Sequence, residues 1–211
     1  MSPGWPVTLE HGSLKLRPLR LRDAADWRMT RLTNREWLEP WEATTPGVVP
    51  DEAGRGYADA IRALRRDARI GLAYPFALML DEQFAGQVTV GAIARGSANS
   101  AYLGYWLSRS FAGRGIMPTA LALVVDHCFG PAGLHRVEAN IRPENVASRR
   151  VVEKLGFRME GTRERYIHIS GFWRDHLSYA LTVEDVPGGL MRRWLAQGGE
   201  ARVAGGGPST S

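Results

Sequence analysis

The sequence predicts an α+β fold in which about four helices flank one mixed, mostly antiparallel sheet of about six to seven strands. Three observations carry that expectation. Two helical patterns come first and are followed by a block of alternating residues between 74 and 107; a strongly apolar run then leaves a glycine-bearing loop; and the remainder reads strand, helix, strand, strand. Strands and helices therefore do not alternate regularly, as a doubly wound parallel sheet would require. With 211 residues, 44% of them hydrophobic, the chain is long enough for one well-buried core. Residues 1–185 are expected to form the domain and 186–211 a tail, a short helix at LMRRWLAQ followed by a disordered GGGPSTS end.

Along the chain, Leu14, Leu16 and Leu19 alternate with Lys15 and Arg17, an edge or first strand ending near Pro18. Asp23 is placed to cap a helix carrying Ala24, Trp27 and Leu32. The segment from Trp37 to Pro50 holds Trp41, Pro40 and Pro46 and reads as a loop with unusual apolar weight. A second amphipathic helix is expected from Asp51, with Tyr57, Ala60, Ile61 and Leu64 on one side. YPFALML and FAGQVTVGAI form a hairpin about the Asp81-Glu82-Gln83 turn, and Asn99 to Leu107 a third strand. Ile116 to Phe129 is long and apolar enough for a buried helix, and Leu134 to Ile141 for a strand. Asn145 to Leu155 is amphipathic, with Val146, Val151, Val152 and Leu155 inward and Gly156 in the left-handed cap position. Arg158 to Ile169 and Trp173 to Val183 supply the last strands.

Composition excludes several classes. The single cysteine, Cys128, lies in an apolar run and reads as a buried helical residue. No apolar stretch approaches the length of about 20 residues that spans a bilayer, and the N-terminus lacks a basic region before an apolar core, so a cytoplasmic protein with no membrane partner is expected. The net charge of +5 is spread along the chain, which favours a basic ligand site and a solvated surface over a nucleic-acid surface. No cluster has metal-ligand spacing, and there is no Gly-x-Ser-x-Gly elbow.

The chemistry is signalled at Ser110-Phe111-Ala112-Gly113-Arg114-Gly115, between a strand and the helix from Ile116. A strand feeding a glycine loop and a helix start converges backbone N–H groups and the positive end of the helix dipole on one point, an anion site. Gly113 and Gly115 admit close backbone approach, and Pro118 sits in the first turn where its missing N–H is tolerated. The loop is neither the dinucleotide fingerprint nor the nucleotide P-loop, lacking the third glycine of one and the Lys-Ser/Thr of the other.

In its order of elements and its glycine loop the chain resembles the GNAT acetyltransferase superfamily. The segment from Ile141 to Phe157, containing Pro143-Glu144-Asn145, Ser148 and Glu153-Lys154-Leu155-Gly156-Phe157, resembles that family's Rim-type branch of ribosomal-protein N-acetyltransferases, particularly those acting on alanine. Leu134 to Ala139, Trp37 to Trp41 and Gly171 to His176 resemble the same branch. The resemblance implies a V-shaped splay between two parallel strands, Tyr102 to Leu107 and Leu134 to Ile141, with the pantetheine of acetyl-CoA between them. It implies cofactor contacts from Leu107, Arg109, Phe111, Ala112, Gly113, Arg114, Gly115, Ile116, Asn145 and Ser148, the last near the thiol. Three positions depart from the family pattern: Ser110 stands where Gln or Arg is usual, Ala112 where a basic residue is common, and Val152 where many relatives carry a tyrosine that protonates the departing thiolate, leaving Ser148 as the nearest substitute.

Amide formation from a thioester needs a neutral amine, a polarised carbonyl and a leaving thiolate. An N-terminal amine, with a reference pKa of about 7.7–8.0 against about 10.4 for lysine, gives up its proton more readily. Glu138, on the strand beside the cleft, is the preferred base, with His135 and His176 as alternatives. A backbone N–H near Tyr105 to Leu107 is expected to polarise the carbonyl. Trp37, Trp41, Tyr105 and Tyr166 are the candidate acceptor contacts. The expected reaction is transfer of acetyl from acetyl-CoA to a protein N-terminus, of the ribosomal-protein alanine type, by a monomer or homodimer. A small-amine acetyltransferase and a non-catalytic acyl-CoA-binding module are the alternatives.

Overall fold

The computed structural model describes residues 3–47 and 56–199. Eight strands form one sheet in the order β1-β2-β3-β4-β5-β6-β8-β7. They are β1 Leu9–His11, β2 Leu14–Pro18, β3 Tyr74–Leu80, β4 Gln83–Ala94, β5 Ser100–Leu107, β6 Arg136–Ile141, β7 Arg158–Ile169 and β8 Phe172–Thr182. Every pairing is antiparallel except that of β5 with β6. The helices are α1 Ala24–Thr33, α2 Arg35–Leu38, α3 Gly56–Arg69, α4 Ile116–Phe129, α5 Val146–Lys154 and α6 Leu190–Ala196.

The mixed architecture is as expected, with strand and helix counts slightly higher. Leu14 to Pro18 is not a full edge: β1, three residues long, pairs with Leu14 to Leu16, and β3 covers the other side along its whole length. Trp37 to Trp41 is not a plain loop, because α2 and a 3-10 turn over Glu39–Trp41 organise it. The expected start of the second helix at Asp51 lies outside the described residues, as does the GGGPSTS end. Asp23 precedes α1 but makes no cap bond to it. Its carboxylate instead accepts from the Arg20 backbone N–H at 2.7 Å and from both terminal nitrogens of Arg17, at 2.7 and 2.9 Å. Val146, expected inward, is 46% exposed, whereas Val152 and Leu155 are buried.

Strand alternation sends side chains to two layers. Val88, Val90, Val137, Ala139 and Leu181 join a core with α4, α5 and α6. On the other face Ala77 and Met79 pack with Leu19, Ile61 and Leu64, and Trp27 of α1 donates its Nε1–H to Gln87 at 2.6 Å. Burial pushes the Cys128 thiol up to about 12, so it stays protonated in the core. The helix α6 belongs to the same core as α4, with Leu190 and Trp194 buried; Trp194 donates its Nε1–H to Thr119 Oγ1 at 2.9 Å.

His127 on α4 is buried and packs edge-on against Tyr74 and Phe76, and that burial lowers its pKa. The unfolded chain therefore binds a proton there more readily than the folded one. Stability is expected to fall as pH drops below the unfolded value of about 6.5. Urea titrations between pH 5 and 8 should show this loss, and His127→Phe should flatten it; an equally steep loss in the variant would assign the effect elsewhere.

Candidate functional site

The parallel pairing of β5 with β6 is brief. Its register runs only from Ser100–Arg136 to Tyr102–Glu138, after which β5 continues with β4 and β6 with β8. The two strands therefore splay, and a cavity of about 760 Å³ opens there. Tyr105 and Trp106 both line it. Consecutive strand residues point to opposite faces, so the cavity passes through the sheet at the splay. One mouth lies on the α4 and α5 face, the other on the α1 face.

On the first face the glycine loop leads into α4. Gly113 and Gly115 take φ of 77° and 73°, left-handed values that glycine adopts without strain, and a Cβ at Gly113 would meet nothing within 4 Å. The Phe111 and Ala112 N–H groups are consumed within the turn, donating to the Ser108 and Arg109 carbonyls at 3.0 and 3.1 Å. Gly113, Arg114 and Gly115 donate to no backbone partner among the described residues, and the first bond of α4 is Thr119 N–H to the Gly115 carbonyl at 3.2 Å. The free amides thus run from Gly113 to Met117, and with the helix dipole they suit a diphosphate. Across the cavity stand Arg150 and Lys154, four residues apart on α5. They place positive charge on the cavity wall, which Ser110 and Ala112 do not. Neither residue is among those expected from the sequence, although their i,i+4 spacing places both on one helix face.

Asn145 is the N-cap of α5, its Oδ1 accepting the Ser148 N–H at 3.1 Å. That bond fixes the first turn, where Ser148 Oγ lies 2.7 Å from the Tyr105 hydroxyl. Tyr105 follows Ala101 and Leu103 on the inward face of β5, and burial raises its pKa well above the usual tyrosine range, so its hydroxyl stays protonated at rest. Val152 is fully buried, so the position expected for a tyrosine contributes only to packing.

The cavity wall gathers Trp37, Trp41, Tyr105, Leu107, Phe111, Ala112, Gly113, Gly115, Ile116, Asn145 and Ser148 from the expected set. Arg109, Arg114, Glu138 and Tyr166 are not on that wall. Arg109 stacks over Trp37 and Arg114 over Phe111, with 5.9 and 5.8 Å to the ring centroids. Trp37 itself donates its Nε1–H to the Leu107 carbonyl at 3.1 Å, fixing α2 against the end of β5. Glu138 stands at the last paired rung and accepts from Arg136 Nε at 2.8 Å and Arg163 Nη2 at 3.1 Å. Tyr166 accepts from Arg163 at 3.0 Å and meets His176 edge-on. His176 is buried, with Nδ1 3.0 Å from the Arg174 carbonyl, and burial lowers its pKa; His135 pairs with Glu184 at the surface at 3.1 Å. Neither histidine reaches the cavity.

A family model described as an acetyltransferase (GNAT) domain matches residues 13–158. The chain belongs to the GNAT acetyltransferase family. RimJ of Mycobacterium smegmatis, solved in complex with CoA-disulfide, is a similar structure, with TM-score 0.89 and 43% identity over 94% of this chain and 98% of that one. The [ribosomal protein uS5]-alanine N-acetyltransferase of Escherichia coli K12 is 32% identical over 186 residues, 85% of this chain and 92% of that protein. The probable N-acetyltransferase YjcK of Bacillus subtilis is 32% identical over 181 residues, 84% of this chain and 98% of that protein. The family assignment and the splayed α+β fold expected from the sequence are both borne out, and the chain is an acetyl-CoA-dependent N-acetyltransferase. Among the described residues no helix is long and apolar enough to cross a membrane and no group of side chains has the makings of a metal site.

Within this GNAT fold Glu138 reads as a clamp between β6 and β7. Glu138→Gln is expected to cost about 1–2 kcal/mol by leaving two guanidiniums short of a carboxylate. The dependence of acetylation rate on pH should stay that of the parent. Urea unfolding and a pH–rate profile check the two parts, and a displaced profile would return Glu138 to the reaction.

Proposed function

We propose that the chain transfers the acetyl group of acetyl-CoA to the N-terminal α-amine of a protein, a ribosomal protein beginning with alanine or serine, in the cytoplasm. The observation that carries this reading is the cavity that passes through the sheet, with the glycine loop at one mouth and Trp41, Glu42 and Ala43 at the other. Such a passage lets an extended chain end meet a thioester arriving from the opposite face. The ribosomal acceptors named for the relatives from Escherichia coli support it.

Acetyl-CoA supplies an acyl group already activated as a thioester. The protein holds it: free amides of Gly113 to Met117 face the diphosphate, Arg150 and Lys154 flank it, and Asn145 keeps the first turn of α5 in place. Ser148 Oγ hands its proton to the departing sulfur while taking the Tyr105 hydroxyl proton across 2.7 Å, and the proton that the amine nitrogen gives up on forming the amide restores Tyr105 through water. Because an α-amine is partly neutral near pH 7.5, the passage needs to position it more than to deprotonate it.

Purified protein with acetyl-CoA should release free thiol with peptides bearing an Ala or Ser N-terminus and none with the same peptides blocked at the α-amine. Thiol release confined to small amines such as polyamines or aminoglycosides would overturn the acceptor, and binding of acetyl-CoA without any release would overturn catalysis.

A further inference from the structure

The α1-face mouth holds an ion pair that neither the family match nor the glycine loop accounts for. Arg31 of α1 lies between two indoles, 5.1 Å from the Trp27 centroid and 5.3 Å from that of Trp106, and its side chain is 12% exposed. Its Nη2 pairs with Glu42 Oε1, and both residues line the cavity. The Glu42 side chain is 49% exposed, so this carboxylate is presented to the passage while its partner is sunk behind it. The second oxygen, Oε2, has no hydrogen-bond partner among the described residues.

The backbone carrying Glu42 is tied down on both sides. Upstream, Arg142 Nη1 donates to the Pro40 carbonyl at 2.8 Å and its guanidinium covers Trp41 at 5.5 Å. Downstream, Ala43 bridges to Ile169, Thr44 N–H donates to the His168 carbonyl at 2.8 Å, and Thr44 Oγ1 lies 2.7 Å from His168 Nδ1. A carboxylate held by an anchored backbone and an immobilised guanidinium has already lost most of the freedom that binding would remove. The other cavity carboxylate, Glu144, bonds to Arg142 Nε at 3.2 Å and is 62% exposed. Hydrogen bonding to its own backbone N–H and to Arg142 keeps its pKa low. Glu138 is held by two arginines off the passage. Glu42 is thus the acid that combines access to the cavity, a fixed position and a free oxygen.

Resting on the acceptor reading above, we infer that Glu42 is the acceptor-anchoring residue: Oε2 receives the incoming N-terminal ammonium, and Arg31, sandwiched by Trp27 and Trp106, orients the carboxylate without entering the passage. The ligand class is a primary ammonium with an extended chain behind it. The bound ammonium releases its proton to solvent before attack and the neutral amine then donates an N–H to Oε2, so Glu42 acts chiefly on binding of the acceptor and not on the acyl step.

Steady-state kinetics are read on whichever amine the parent acetylates fastest. Glu42→Gln is expected to raise the acceptor KM at least tenfold, with kcat and the KM for acetyl-CoA within threefold of the parent. Glu42→Asp should recover part of the loss, a rescue that a merely structural role for the loop would not give. An unchanged acceptor KM, or equal losses in kcat and in acetyl-CoA KM, would overturn the inference. If the fastest amine proves to be a small molecule, the ribosomal acceptor fails while the Glu42 test stands. If the parent acetylates nothing, calorimetric binding of an Ala-initiated peptide to the coenzyme A complex decides Glu42 separately. Preference for the free over the desamino peptide should vanish in Glu42→Gln, and its persistence there would overturn the inference.

Discussion

Replacing Gly113 by proline is expected to weaken acetyl-CoA binding ten- to a hundredfold while shifting the melting temperature by only a few degrees. The φ of 77° at Gly113 lies on the opposite side of zero from the value near −65° that the pyrrolidine ring imposes, so the loop has to re-form. The substitution also deletes one of the free amides that face the diphosphate. A hundredfold loss corresponds to about 2.7 kcal/mol, within the worth of a few charge-assisted hydrogen bonds. Gly113→Ala separates the two causes, because it keeps the N–H and pays only the left-handed strain of about 1–2 kcal/mol. Calorimetric titration should therefore rank parent, alanine and proline in that order. Equal affinity in all three would remove the loop from the cofactor site.

The second large effect is expected at Ser148. Ser148→Ala should lower kcat about a hundredfold with little change in the KM for acetyl-CoA, the size expected when a positioned proton donor is removed. Tyr105→Phe should fall short of that, since Ser148 would remain and solvent could refill it. Because the two hydroxyls act in series, the double variant should be no slower than Ser148→Ala alone. Pre-steady-state thiol release with the best acceptor measures this, and multiplicative losses would mean that the hydroxyls act independently.

Much of this was readable in the residues themselves. The apolar run from Ile116 to Phe129 coincides with α4, and the change from helical spacing to alternation marks β3 and β4, because periodicity is local and burial enforces it. The strand β1 was missed because three residues are too few to show a period. Val146 was misassigned inward because apolar character alone does not reveal which way a first-turn residue faces. At the site, glycine φ and capping are local and were legible at Gly113 and Asn145. The fate of a charge is not local: nothing near Glu138 in sequence announces Arg163, and nothing near Glu42 announces an arginine held between Trp27 and Trp106. Those partners meet only after the sheet has assembled, so pairing separated a plausible acid from an available one.

The hydroxyl of Thr119 gives the last helix a reach that its position in the chain conceals. It donates to the Gly115 carbonyl at 2.9 Å and accepts from Trp194 Nε1 at the same distance, so the final glycine of the loop is braced by α6 through a single side chain. Asp126, on the same helix as Thr119, also receives the Leu190 and Met191 N–H groups. A truncation placed after Pro187, where the composition turns to glycine and arginine, would remove the Trp194 bond to Thr119 and with it a brace on a loop far away in the sequence.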